Sequence, residues 1–106
     1  MKYGNHKVST PDGVFDSKKE YNRWCELKLL EKAGEISDLQ RQKKFLLLPE
    51  QKGTIRTERR VWYIADFVYM DHGEMVVEDV KGFKTREYVL KRKMFKYFHH
   101  IEIREI

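Results

Sequence analysis

The sequence predicts an α/β domain with a mixed sheet, its core elements in the order α-β-β-β-α-β after a short N-terminal hairpin. Three observations predict it: two stretches with helical apolar spacing near residues 17–33 and 85–98, strand-like runs between them, and the breakers Gly34, Pro49 and Gly73 separating those runs. Thr10-Pro11-Asp12-Gly13 is a strong turn signal between Val8 and Val14-Phe15, hence the hairpin. Ser17 to about Ala33 carries Tyr21, Trp24, Leu27 and Leu30 at helical spacing, and Gly34 stops it. Gln42 to Leu48 reads as a strand closed by Pro49. Arg59 to Tyr69 reads as a longer one, with Val61, Tyr63, Ala65 and Phe67 on one face and Trp62, Ile64, Asp66 and Val68 on the other. Both faces are apolar, which predicts a central strand covered on both sides. Asp71-His72-Gly73 turns the chain back as an antiparallel strand from Met75 to Lys81. Thr85 to about Phe98 is the second helix, with Tyr88, Phe95 and Phe98 toward the core, and Ile101 to Ile106 is a final short strand.

Length and composition narrow the function. The 106 residues make one domain (1–106), which at this size buries roughly 60–65% of the unfolded chain's surface. A single cysteine, Cys25, excludes an internal disulfide framework and a Cys-rich zinc site. The longest apolar runs, such as Phe45 to Leu48, fall far short of the ~20 residues of a membrane span, and Met1-Lys2-Tyr3 opens no signal segment. A reducing cytoplasm is therefore the expected location, without a membrane partner. Gly53, Gly73 and Gly82 stand alone, so no Gly-rich loop offers a nucleotide cofactor its phosphate cradle.

The net charge of +5 is concentrated. Lys81, Lys84, Arg86, Lys91, Arg92, Lys93 and Lys96 stand against Glu87 alone between residues 81 and 96, a local charge of +6. Such a segment suits a polyanion, because neutralised phosphates release their counterions. A second basic segment, Lys52, Arg56, Arg59 and Arg60, surrounds Gly53 in what reads as a hairpin tip and a DNA-touching arm.

Four residues resist a purely structural reading. Asp66 lies in the middle of a buried strand, where an unpaired carboxylate costs on the order of several kcal/mol and needs a cation, hydrogen bonds or a metal. In Val77-Glu78-Asp79-Val80-Lys81, period two puts Asp79 and Lys81 on one face and Glu78 on the other. The hairpin brings Asp66 close to residues 77–79. At ~100° per residue, Glu20 falls about 40° from Trp24 and 20° from Leu27, on the inward helix face, although Ser17-x-x-Glu20 also spells a capping box. Carboxylates converging with a lysine suit phosphodiester hydrolysis: oxygen ligands favour Mg²⁺ or Mn²⁺, and a lysine complements the charge of the transition state.

With Asp66, then Asp79-Val80-Lys81, Glu20 on the first helix and the αβββαβ order, the chain resembles the PD-(D/E)xK nuclease superfamily, with Ala65 at the first position of the motif. Phe15-Asp16-Ser17-Lys18-Lys19-Glu20, Gly34-Glu35-Ile36-Ser37-Asp38-Leu39, Tyr63 to Tyr69 and Val77 to Gly82 resemble a phage and prophage family of small proteins grouped as a domain of unknown function. In size and layout the chain is similar to archaeal Holliday junction resolvases. The resemblance implies a restriction-endonuclease-like core and a Mg²⁺-dependent (or Mn²⁺-dependent) endodeoxyribonuclease leaving a 5′-phosphate and a 3′-hydroxyl. It implies metal ligation by Asp66, Asp79 and the Val80 carbonyl, Glu20 as a further or water-mediated ligand, and Lys81 as the catalytic lysine. Gln42 is a candidate contact for metal-bound water or substrate, and Tyr88 with Lys91 a candidate pair for the scissile phosphate.

The expected function is cleavage of branched DNA, as by a junction resolvase of phage origin, in the cytoplasm of an infected or prophage-carrying bacterium. Two symmetric cuts at a four-way junction imply a homodimer. Two alternatives stand beside it. One is a nuclease-fold subunit of a phage recombination, packaging or transposition complex that cuts only with a partner; the other is a non-catalytic DNA-binding module.

Overall fold

The computed structural model describes residues 6–106, so Met1-Lys2-Tyr3 lies outside the described residues. Strands β1 (Val8–Thr10) and β2 (Gly13–Phe15) form the expected hairpin, pinned where the Thr10 hydroxyl donates to the Gly13 carbonyl at 2.8 Å. Helix α1 (Lys18–Lys32) follows, then β3 (Ser37–Leu48), a small arm of β4 (Gln51–Lys52) and β5 (Thr57–Glu58), and β6 (Val61–Asp71). After β7 (Glu74–Asp79) come α2 (Arg86–His99) and β8 (Arg104–Glu105). The four-stranded sheet has the order β3-β6-β7-β8, antiparallel except for the parallel β7/β8 pair. This is the α/β fold with a mixed sheet that the element order predicts. Among the described residues, no helix is long and apolar enough to cross a membrane.

Local chemistry sets the boundaries. Ser17 caps α1 by accepting the Glu20 N–H at 3.1 Å, and Thr85 caps α2 by accepting the Tyr88 N–H. His72 and Gly73, with φ of 51° and 82°, form the two-residue turn between β6 and β7. β3 starts five residues before the expected Gln42, because Leu39 and Arg41 pack inward and prolong the alternation.

Two clusters form the core. Under α2 lie Leu47, Tyr63, Ala65, Val68, Val77, Tyr88, Phe95 and Ile103; under α1 lie Phe15, Leu27, Ile36, Phe67, Tyr69 and Val76. The expectation that Val61, Tyr63, Ala65 and Phe67 share a face fails at Phe67, which stacks on Trp24 of α1. β3 and β6 change faces together at the level of Gln42 and Asp66, and on β3 the cause is visible: Gln42 has a left-handed φ of 53°. Coverage on both sides holds only from Ala65 onward, since Trp62 and Ile64 remain exposed.

Two expected core positions also fail. Leu30 is exposed near the far end of α1, and Phe98 is exposed on α2. From Phe95, residue 99 lies about 40° around the helix and residue 98 about 60° the other way. His99 takes the inward place, stacking on Phe95 and donating through Nε2 to the Leu46 carbonyl at 3.1 Å.

Candidate functional site

The β6/β7 ladder runs from the turn to the Phe67–Glu78 pair and stops there. Asp66 and Asp79 therefore stand where the two strands part. The Val80 N–H, released from the ladder, donates to Asp66 Oδ2 at 2.8 Å, and the Gln42 amide donates to Asp66 Oδ1 at 3.2 Å. Gln42 also approaches Glu20 Oε2 at 3.5 Å, so it bridges helix α1 and strand β6. A left-handed backbone at a non-glycine strand residue is stored strain of a kind found at functional sites.

Asp79 is completely buried. Its Oδ2 accepts from the Tyr63 hydroxyl at 2.5 Å. Its Oδ1 accepts no hydrogen bond: the Lys81 ammonium is 3.1 Å away but off the hydrogen-bonding direction. Burial first, then the hydrogen bond and charge of Asp66, push the Asp79 carboxyl up to about 8, against the opposing pull of Tyr63 and Lys81. Lys81 in turn lies over the Tyr88 ring, 4.7 Å from its centroid.

Glu20 is 3% exposed although it stands in the first turn of α1. Burial, then the negative charges of Asp66 and Asp16, raise it to about 7; Arg41, at 3.9 Å, counteracts. Arg41 is itself held by the Val14 carbonyl at 3.0 Å and by the Phe15 ring, 3.6 Å below its guanidinium. Glu20, Asp66, Val80 and Lys81 line one cleft of about 180 Å³ with Asp16, Ser17, Lys19, Gly82 and Phe83. A wider hollow of about 520 Å³ between Glu74–Val76 and His100–Arg104 holds none of them.

The donor set fits a divalent cation. Two adjacent carboxylates repel each other, and a fully buried carboxylate oxygen, Asp79 Oδ1, lacks a hydrogen-bond donor. Among the described residues no three of His, Cys, Asp and Glu converge on one point. The oxygen pair is Asp66 with Asp79, and Glu20 is set apart from Asp66 by the Gln42 amide between them.

The outer candidates are placed differently. Tyr88 is buried, with its hydroxyl donating to Glu105 at 2.7 Å, so its ring supports Lys81 while its oxygen is already engaged. Lys91 pairs with Glu87 at 3.2 Å. Lys84 and Arg92 pair with Glu105, and Lys96 with Glu102, so the C-terminal segment offsets much of the charge of α2. Arg86 and Lys93 have no acidic partner among the described residues. Lys52, Arg56, Arg59 and Arg60 are exposed along the small arm.

Sequence reasoning missed Tyr63, Arg41 and Arg23. Tyr63 and Arg41 carry no motif, because their partners lie 16 and 21 residues away in sequence. Arg23 donates to Glu78 through Nε at 2.8 Å and Nη2 at 2.6 Å, with the Tyr69 hydroxyl completing the cluster. Its signal was available: it stands one turn after Glu20, and Glu78 was expected on the face away from Asp79.

No curated protein matches the chain. The family model described as Protein of unknown function (DUF1064) matches residues 1–105. With all but its last residue matched, the chain belongs to the DUF1064 family.

Proposed function

We propose that this protein is a metal-dependent endodeoxyribonuclease of the PD-(D/E)xK type. The observation that carries the reading is Asp79 Oδ1, a fully buried oxygen without a hydrogen-bond partner, 3.1 Å from the ammonium of Lys81, which lines the cleft together with Asp66. Asp66 and Asp79 would hold Mg²⁺ or Mn²⁺, which when bound neutralises phosphate charge and lowers the pKa of water. Lys81, oriented by Asp79 and the Tyr88 ring, supplies positive charge where the phosphorane-like transition state gathers negative charge. Glu20 lines the same cleft with a pKa near 7, which suits proton uptake at neutral pH.

Branched DNA, a phage origin and a homodimer belong to the same reading, supported by the small size and by the resemblance of the motif. The test is cleavage of a labelled four-way junction, a flap, single-stranded DNA and linear duplex in Mg²⁺, Mn²⁺ or EDTA, beside Asp66→Ala and Lys81→Ala. Metal-dependent cutting of branched DNA, lost in both folded variants, is expected. Equal cutting of all DNAs keeps the chemistry and removes the resolvase; no cutting by a protein that still binds DNA rejects catalysis by the isolated chain.

A further inference from the structure

Beyond Gln42 and Asp66 the β3/β6 ribbon continues with one face open. Phe45, Leu47 and Tyr63 turn toward Phe95 of α2. Alternation puts Lys44, Leu46, Trp62 and Ile64 on the opposite face, which is the side of α1, but no helix covers it there. Leu46, Trp62 and Ile64 are 39%, 37% and 44% exposed. Register pairs Lys44 with Ile64 and Leu46 with Trp62, so the four form a single block. The Lys44 ammonium lies 5.5 Å from the Trp62 ring centroid.

The block adjoins the cleft. At ~3.3 Å per residue, Ile64 is about 7 Å and Trp62 about 13 Å along β6 from Asp66. The chain that joins its two strands is cationic: Lys44, Lys52, Arg56, Arg59 and Arg60 stand against only Glu50 and Glu58 over residues 44–64. None of those five cations forms an ion pair among the described residues. The occupant must therefore combine negative charge at regular intervals with flat apolar surface. Duplex DNA offers the charge but keeps its base faces stacked inside; a strand with unpaired bases offers both.

We infer that the ribbon face of Lys44, Leu46, Trp62 and Ile64 is a stacking platform for unpaired bases of a nucleic acid strand leading to the cleft. The inference rests on the nuclease reading for the role of the cleft, but it concerns binding and is tested without cleavage. Labelled oligothymidylate and a duplex of equal length are titrated in EDTA and followed by fluorescence anisotropy. Wild type is expected to bind the single strand more tightly than the duplex. Trp62→Ala should weaken single-strand binding about ten-fold or more and leave duplex binding within about two-fold, while Trp62→Phe, which keeps a ring, should retain most of it. Leu29→Ala, which removes another exposed apolar side chain on α1, should change nothing.

Undiminished single-strand binding by folded Trp62→Ala overturns the platform. So does a wild-type dimer that Trp62→Ala converts to a monomer in sedimentation, because the face is then a contact between copies. Should Trp62→Ala fail to fold, two other folded variants decide: single-strand binding that is undiminished in Lys44→Ala, or lost in Trp62→Phe, rejects the platform. A protein that cuts DNA but binds single strands equally well with or without Trp62 refutes the platform alone. One that binds through Trp62 but never cuts refutes the nuclease alone.

Discussion

Glu78 and Asp79 are consecutive and completely buried, yet they serve opposite faces of the sheet. Glu78 is clamped to α1 by two bonds from Arg23 and one from Tyr69, whereas Asp79 meets Tyr63 and Lys81 on the side of α2. The first carboxylate is satisfied and structural; the second keeps an oxygen without a hydrogen bond.

The clamp predicts a steep stability loss. Arg23→Leu leaves Glu78 buried without its cation and should cost about 3–5 kcal/mol in urea unfolding. The double variant Arg23→Leu/Glu78→Leu should recover much of it, since both charges are gone. Equal losses in the single and the double would show that the ion pair does not govern this contact.

Asp79 and Glu20 predict an unusual pH profile. Each has a folded pKa above its unfolded value, so the folded state binds more protons over the interval between them. The stability they contribute is fully present below about pH 4 and is lost as pH rises through about 7 for Glu20 and about 8 for Asp79. Thermal melts in EDTA should accordingly show Asp79→Asn gaining on wild type between pH 5 and pH 8. Parallel profiles for the two proteins would reject the raised Asp79 carboxyl.

Metal should reverse that trend. Mg²⁺ or Mn²⁺ at roughly 100 times its Kd should stabilise the wild type by about 2.7 kcal/mol, read as a rise in Tm. The rise should be larger at pH 8 than at pH 5.5, because binding requires deprotonated carboxylates. Asp66→Ala should show none; a full Tm response in that variant removes Asp66 from the site.

Tyr88 separates support from contact. Tyr88→Phe loses only the bond to Glu105, worth about 1 kcal/mol of stability, and keeps the ring beneath Lys81. Single-turnover cleavage should stay within about three-fold of wild type. Tyr88→Leu removes the ring as well and should slow cleavage about ten-fold, through the lost cation–π contact. A large rate loss in Tyr88→Phe would mean that the hydroxyl itself touches substrate.

Much of the fold was legible in the chain because its signals are local. Thr10-Pro11-Asp12-Gly13, Gly34 and His72-Gly73 act within a few residues, and the helical spacing of Tyr21, Trp24 and Leu27 needs no partner to be read. The opposite facing of Glu78 and Asp79 followed from strand period alone, as did the pairing of Asp79 with Lys81. Leu30 and Phe98 misled because an apolar residue at helical spacing is buried only where a neighbouring element reaches it.

By itself, then, the sequence determined the element order, the mixed α/β class, and the placing of Asp66 and Asp79 on adjoining strands with Lys81 just past the second. Only the tertiary structure decided three other matters. It turned Phe67 to α1 through the face change at Gln42, it placed Glu102 and Glu105 against the basic helix, and it left one oxygen of Asp79 without a hydrogen-bond donor. Each depends on contacts between residues distant in sequence, where packing and burial, rather than local propensity, set the geometry and the charge.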